Sequence, residues 1–142
     1  MIDPLYQTEI LRLAATAHGA GRLEAPDASA DIRNPLCGDR ITLDLRIKNG
    51  VITEVGHKTR ACVLCQASAS LLAETLPGLE PAACHATEEA IRAFLSGGPE
   101  TALPAAFTRF SVFAPVQPHA ARQKCVLLPF EALTTALKTP VT

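Results

Sequence analysis

An alternating run of apolar and polar residues that ends at Asn-Gly constrains the fold of this chain most. Over residues 40–47, isoleucine and leucine alternate with polar side chains, and Asn49-Gly50 separates this run from the β-branched run at residues 51–55. A period of two is typical of a strand with one buried face, and Asn-Gly favours the type I′ turn of a tight hairpin. The pattern predicts an antiparallel hairpin, to which residues 29–33 add a short third strand.

Helix signals flank this hairpin on both sides. Four segments have helical spacing or composition: residues 5–18, 63–76, 87–95 and 126–137. We expect Gly19 and Gly21 to end the first helix, Thr87 to cap the third, and the fourth to tolerate Pro129 near its start. The proline-containing stretch 97–118 predicts a loop with at most a short helix. A small antiparallel sheet of about three strands packed by helices is an α+β architecture.

Composition limits the classes of function that are open to the chain. With 142 residues, 48% of them hydrophobic, it has the size of a single domain, residues 1–142. Its 13 Lys and Arg against 14 Asp and Glu provide no basic excess for a nucleic acid. No run approaches the roughly 18 apolar residues of a membrane helix, and the N-terminus lacks a positively charged signal-peptide region. We expect a cytoplasmic protein that binds neither nucleic acid nor a membrane.

Five cysteines are an odd number, which argues against a disulfide framework and leaves ligands, nucleophiles or core residues. Cys37 lies in a polar turn, Asn34-Pro-Leu-Cys-Gly-Asp39, where a buried hydrophobic residue has little reason to be. Pro35 disfavours helical backbone at Asn34, and Gly38 lets the chain fold so that the Cys37 and Asp39 side chains can converge. We therefore interpret Cys37 as a ligand.

Cys62 and Cys65 lie one turn apart at the predicted start of a helix. The helix dipole and its free N–H groups favour a thiolate at Cys62. The pair fits a C-x-x-C redox motif or two metal ligands, and an ordinary buried cysteine at position 65 fits equally well.

Cys125 is predicted at the start of the C-terminal helix, with Arg122 and Lys124 close in sequence. Positive charge at this position would stabilise an anionic sulfur. Cys84 is interpreted as filler. His57 is a weak candidate for a substitute ligand, and Asp44 is expected on a solvated strand face. The other histidines are interpreted as structural: His18, His85 and His119.

Three motifs occur in order along the whole chain: Asn34-Pro-Leu-Cys-Gly-Asp-Arg-Ile-Thr-Leu43, Ala61-Cys62 with Ala67-Ser-Ala-Ser70, and Ala121-Arg-Gln-Lys-Cys125. Together they resemble the iron–sulfur cluster assembly scaffolds of the NifU N-terminal/IscU type. The likeness is closest to the SufU branch, in which a longer segment precedes the third cysteine and lysine replaces the histidine before it, as Lys124 does. Ala61 departs from the glycine usual in the family.

The resemblance implies an IscU-like sheet packed by helices, with Cys37, Asp39, Cys62 and Cys125 as the ligands of zinc or of a nascent cluster, of the 2Fe–2S type if a cluster is bound. Cys65 offers an extra sulfur beside this set. The implied activity is that of a scaffold, or of a zinc-dependent acceptor of sulfur from a SufS- or IscS-like cysteine desulfurase, rather than a conventional enzyme. Within that activity, Cys125 is our candidate for the sulfur-accepting thiol, with Arg122 and Lys124 stabilising its anion. Recipient apo-proteins would be further partners.

Two alternatives remain open from the residues. One is a thiol–disulfide oxidoreductase that uses Cys62 and Cys65, and the other is a structural zinc module that binds a protein partner. Metal content separates the redox alternative from cluster assembly, because it requires neither a metal nor Cys37 and Cys125.

Overall fold

The computed structural model describes residues 7–35 and 38–138. The elements in chain order are α1 (Thr8–Thr16), β1 (Ala28–Arg33), β2 (Arg40–Lys48), β3 (Val51–Arg60), α2 (Val63–Thr75), α3 (Thr87–Leu95) and α4 (Ala120–Lys138). Short 3₁₀-helical segments, Pro81–Cys84, Glu100–Ala102 and Ala105–Val116, connect the later helices. Within the described residues, no helix combines the length and apolar character needed to span a bilayer.

The three strands form an antiparallel sheet in the order β1-β2-β3. The hairpin prediction is confirmed: Asn49 (φ 53°) and Gly50 (φ 80°) both have the left-handed backbone that a type I′ turn requires. The strand over residues 29–33 is confirmed as β1. β3 continues five residues beyond the predicted end at Val55, because its pairing with β2 extends to Arg40 opposite Arg60.

The sheet has two chemically different faces. Its inner face packs on α2 and α4 and carries Ile41, Leu43 and Leu45, each at most 1% exposed. Its outer face is polar and is partly covered by the connection between α1 and β1. In this connection Gly21 pairs with His57 at the edge of β3, and Asp27 N–H donates to the Leu45 carbonyl on the way to β1. Residues 22–27 therefore cross one half of the outer face and leave the other half open.

The crossing buries Asp44, which was expected on a solvated face. Its carboxylate is 0% exposed and accepts hydrogen bonds from Arg22 Nε (2.6 Å), the Ser29 hydroxyl (2.6 Å) and the Leu23 backbone N–H (3.1 Å). Burial by itself raises the pKa of Asp44, but these hydrogen bonds outweigh it and lower the pKa overall. The prediction was wrong because strand alternation does not reveal which segments cross a face.

The loop predicted over residues 97–118 is largely 3₁₀-helical and contributes to the core. Phe107, Phe110, Phe113 and Val116 recur at every third position, and each is at most 1% exposed. Three residues per turn is the period of a 3₁₀ helix, so the spacing places Phe110, Phe113 and Val116 on one side. Phe107 lies at a kink with non-helical backbone (φ −112°, ψ 15°) and is buried as well. Phe110 packs against Phe130 of α4 with ring centroids 4.9 Å apart. The prolines that suggested a loop disfavour only a regular α-helix.

Three predicted helix ends also differ. α1 ends with Ala17 in left-handed conformation (φ 46°), before Gly19, and the part of this helix predicted at residues 5 and 6 lies outside the described residues. Thr87 does not cap α3, because Ala86 occupies the N-cap position and the Thr87 hydroxyl donates to the Cys84 carbonyl at 2.5 Å. α4 begins at Ala120, six residues before the predicted start.

Candidate metal centre

A short loop between β1 and β2 presents Asp39. Asn34 N–H donates to the Asp39 carbonyl and Gly38 N–H donates to the Asn34 carbonyl, both at 2.8 Å, so the loop is closed at its base. Gly38 has φ 77°, the left-handed backbone expected of it. Asp39 is 8% exposed. Cys37, the predicted ligand in this loop, lies outside the described residues.

Cys62 is the N-cap residue of α2, two residues after β3 ends at Arg60. The Gln66 side chain donates to the Ala61 carbonyl at 2.9 Å and thereby holds the turn between strand and helix. The predicted position of Cys62 at a helix start is confirmed. Its side chain is only partly buried, so it can be reached from solvent.

Cys125 approaches the same place from α4. It is the sixth residue of this helix and 5% exposed, so the expectation that it lies at a helix N-terminus was wrong. Ala120 to Lys124 are strong helix formers, and the helix begins among them rather than after them. Arg122 and Lys124 are exposed, and Lys124 lines a cleft beside the loop together with Asn34 and Glu131.

The ligand atoms of Asp39, Cys62 and Cys125 all lie within 4.8 Å of one another. Within the described residues, the Asp39 Oδ2 is buried and has no hydrogen-bond partner. A buried carboxylate oxygen without a partner is costly, and a cation beside it would remove that cost. Two thiols and a carboxylate suit zinc or iron at roughly 2.0–2.3 Å per ligand, so this donor set fits such a metal.

The thiol of Cys62 is strongly acidic in this arrangement. Hydrogen bonding from the Cys125 thiol is the largest influence and lowers the pKa of Cys62, which falls from 9.0 to about 6. The backbone N–H groups of Cys65 and Leu64 act in the same direction without forming a full capping hydrogen bond, while burial and the Asp39 charge oppose them. Cys62 is therefore largely a thiolate at neutral pH.

Two further cysteines of the described residues, Cys65 and Cys84, are not members of this group. Cys65 is 0% exposed in the core, and it is not among the three residues whose ligand atoms converge. Cys84 is also buried, and burial raises its pKa to about 11, which makes it unreactive at neutral pH. The interpretation of Cys84 as filler agrees with its position.

His57 has a structural position. Its Nδ1 lies 2.8 Å from the Thr59 hydroxyl and its Nε2 lies 2.9 Å from the His18 carbonyl, so both ring nitrogens are engaged. Burial lowers the pKa of His57. The imidazole holds the first connection against β3 and is not one of the residues that converge with Asp39.

Sequence reasoning missed Ser68. Its buried hydroxyl donates to the Val126 carbonyl at 2.7 Å and joins α2 to α4 next to Cys125. A serine flanked by alanines, Ala67 and Ala69, was the available signal, because a buried hydroxyl needs a partner.

Comparison with known proteins agrees with this geometry. The model of the NifU-like N terminal domain family matches residues 5–126. The iron-sulfur cluster assembly scaffold protein IscU of Thermotoga maritima is 28% identical over 134 residues, which are 94% of this chain and 93% of IscU. The zinc-dependent sulfurtransferase SufU of Bacillus subtilis is 27% identical over 77 residues, 54% of this chain and 52% of SufU.

A solved structure extends the likeness to the fold. The N-terminal part of a NifU-like protein from Brucella abortus superposes with a TM-score of 0.87 at 33% identity, covering 96% of this chain and 94% of that one. The fold expected from the sequence, an antiparallel sheet packed by helices, is thereby confirmed. With a family match over most of its length and a structural relative of this similarity, the chain belongs to the NifU-like N-terminal domain family.

Proposed function

We propose that this protein acts in iron–sulfur cluster assembly, either as a scaffold for a nascent cluster or as a zinc-dependent acceptor of sulfur from a cysteine desulfurase. The observation that carries the proposal is the convergence of Asp39, Cys62 and Cys125 around a carboxylate oxygen that lacks a partner among the described residues. Cys37, two residues before Asp39, completes the ligand set in this proposal. The names of the relatives IscU and SufU support both forms of it.

The donor set suits temporary binding. Thiolates hold zinc or cluster iron firmly, whereas a single carboxylate oxygen is a weaker, exchangeable ligand for these metals. A bound ion would supply positive charge that keeps the thiolates deprotonated. Asp39, Cys62 and Cys125 would hold such an ion, and the Asp39 carboxylate would be the ligand that exchanges most readily. Recipient apo-proteins would receive the assembled product.

Cys62 is the better placed thiol for sulfur transfer. The attacking thiolate bonds to the terminal sulfur of a desulfurase persulfide, the S–S bond of the donor breaks, and its thiolate leaves with the electron pair. The accessible Cys62 has the lowered pKa that this step needs. Cys125, the acceptor predicted from sequence, is more deeply buried in α4, where Arg122 and Lys124 were expected to stabilise its anion.

Persulfide mapping by mass spectrometry, after incubation with a cysteine desulfurase and cysteine, tests the transfer step. We expect label on Cys62. Label on Cys125 or Cys37 alone would move the acceptor role to that residue. Label on none of the cysteines of a metal-loaded protein would favour a scaffold or a structural zinc module.

Anaerobic purification with metal and sulfide analysis tests the binding step. We expect zinc, or iron with acid-labile sulfide, and loss of most bound metal in Cys62→Ser and Cys125→Ser. Cys84→Ser is the matched control and should retain the metal, because Cys84 lies outside the convergent group. A metal-free protein that cycles between dithiol and disulfide would support the oxidoreductase alternative, against which the complete burial of Cys65 argues.

Asp39→Ala tests whether the carboxylate is the exchangeable ligand. We expect this variant to retain a cluster and release it more slowly while cluster transfer to an apo-protein is impaired. Loss of all metal would make Asp39 an essential ligand instead, and full activity would show that another group, such as Cys65, takes its place.

A further inference from the structure

The open half of the outer sheet face carries a row of three arginines. Arg33 lies opposite Arg40 in the β1–β2 register, and Arg40 lies opposite Arg60 in the β2–β3 register. Like charges directly across a sheet are destabilising by up to roughly 1 kcal/mol per pair. Lys58 occupies the neighbouring row on the same side, because side chains two residues apart on a strand share a face. This arrangement does not help the sheet to fold.

Internal carboxylates neutralise only part of this charge. Arg40 is paired with Asp31 at 2.5 Å, and Arg22 is paired with Asp44 at 2.6 Å. Among the described residues, Arg33, Lys58 and Arg60 have no ion-pair partner, and all three are exposed. We call the five cationic residues the basic face: Arg22, Arg33, Arg40, Lys58 and Arg60.

The charge is strongly segregated. The basic face holds five of the chain's 13 Lys and Arg and is accompanied by two of its 14 Asp and Glu, Asp31 and Asp44. The rest of the chain therefore carries eight cationic against 12 acidic residues. Such a surface attracts an anionic segment at one place and repels it elsewhere, which favours a short acidic ligand over a long polyanion.

The surface is concave and open. A pocket on the outer face is lined by four of the five cationic residues together with Asp31, Ser29 and Thr42. The row of arginines spans two strand spacings, roughly 10 Å. Carboxylates one helical turn apart are separated by about 5–6 Å, so an acidic helix or loop can reach several of these cations at once.

We propose that the basic face is a docking surface for a carboxylate-rich segment of a protein partner. Guanidinium groups pair with carboxylates in a bidentate manner, and Arg40 already holds Asp31 in this way through Nε and its NH2 group. A nucleic acid is a poorer occupant, because the net acidic remainder of the surface would repel an extended phosphate backbone.

The basic face adjoins the candidate metal centre through the chain itself. Arg33 is followed by Asn34, Asp39 is followed by Arg40, and Arg60 lies two residues before Cys62. A segment docked on the basic face would therefore lie beside the loop and helix start that present Asp39 and Cys62. The docking proposal itself does not require that a metal be bound there.

Fluorescence anisotropy with a fluorescein-labelled poly-glutamate peptide tests the proposal. We expect binding that weakens with salt and that falls roughly tenfold or more in Lys58→Glu/Arg60→Glu. Lys48→Glu/Lys138→Glu is the matched control, since it changes the net charge equally at exposed sites outside the basic face. Lys58→Gln/Arg60→Gln, which adds no negative charge, should weaken binding less than Lys58→Glu/Arg60→Glu. It keeps the test valid if the glutamate variant does not fold.

The results of the peptide-binding experiment either support the docking proposal or overturn it. Absence of peptide binding, or equal weakening in the control, would overturn it, and so would tighter binding of a single-stranded oligonucleotide of similar charge. Chemical shift changes confined to the outer residues of β1, β2 and β3 would support it. The peptide titration is carried out in EDTA, so failure of the metal-centre proposal would be seen separately, in the metal and sulfide analysis.

Discussion

At the scale of single residues, cysteines of the same chain acquire different chemistry from their surroundings. Cys62, partly exposed at a helix start and hydrogen-bonded by Cys125, has a pKa of about 6, whereas the buried Cys84 has a pKa of about 11. Residue type alone does not distinguish them. The hydrogen bond from Cys125 lowers the pKa of Cys62, and burial raises the pKa of Cys84, so hydrogen-bond donors and burial decide which thiol is a thiolate at neutral pH.

We predict that Cys62 in the metal-free protein reacts with iodoacetamide with a rate that rises to half its maximum near pH 6. Cys125→Ala should move this midpoint toward 9, because the main hydrogen bond to the thiolate is lost. Since the folded pKa lies below the unfolded one, the contribution of Cys62 to stability is fully present above about pH 9 and is lost as pH falls toward 6. A midpoint near 9 in the unmodified protein would contradict the prediction.

Gly56 is required by a close approach of two segments. A Cβ at this position would lie 2.6 Å from the Gly21 carbonyl oxygen, where the first connection pairs along β3. We predict that Gly56→Ala lowers the free energy of unfolding by about 1–3 kcal/mol, measured by urea denaturation. Gly50→Ala, which has open space but φ 80°, separates steric overlap from turn strain and should cost about 1 kcal/mol.

At the scale of elements, α2 and α4 must keep a fixed relation for Cys62 and Cys125 to meet. The Ser68 hydroxyl provides this link by donating to the Val126 carbonyl. Ser70, two residues further along α2, accepts a hydrogen bond from the His18 N–H at 3.0 Å. Both serines are 0% exposed on the same helix. The two serines are therefore a matched pair for mutation, because the hydrogen-bond partner of Ser68 lies on α4 and that of Ser70 does not.

We predict that Ser68→Ala and Ser70→Ala each cost about 1 kcal/mol of unfolding free energy, since each removes one buried hydrogen bond. Only Ser68→Ala should also weaken zinc binding, measured by competition with a chelating dye, because it loosens α4 beside Cys125. Equal zinc affinity in the two variants would show that α4 is held by its apolar packing alone.

At the scale of the whole molecule, the candidate metal centre joins three separate parts of the chain: the loop before β2, the start of α2 and the second turn of α4. A ligand that binds only this folded arrangement stabilises the entire fold by mass action. A bound ion would therefore act as a cross-link between the sheet and the two helices that cover its inner face.

We predict that zinc at a free concentration 100-fold above its Kd raises the free energy of unfolding by about 2.7 kcal/mol, and that EDTA removes the gain. Thermal unfolding followed by circular dichroism measures the change. Cys125→Ser should show little difference between zinc and EDTA. The same zinc-dependent gain in this variant would place the ion elsewhere.

Much of the architecture could be derived from the sequence, because it depends on contacts between near neighbours along the chain. The alternation over residues 40–47 and the Asn49-Gly50 turn determine the hairpin, and the same holds for α2, which begins after Cys62 as expected. The loop prediction for residues 97–118 failed, because prolines disfavour an α-helix but not the 3₁₀ helix that the buried residues, spaced three apart, indicate.

Only the tertiary structure decided which distant groups meet. Cys62 and Cys125 are 63 positions apart, yet packing of α2 on α4 brings their sulfurs and the Asp39 carboxylate within 4.8 Å. The same packing makes Cys62 rather than Cys125 the more accessible thiol, and the crossing of residues 22–27 buries Asp44. Local patterns cannot specify such features, because burial and electrostatic environment are properties of the neighbours that folding assembles from separate segments.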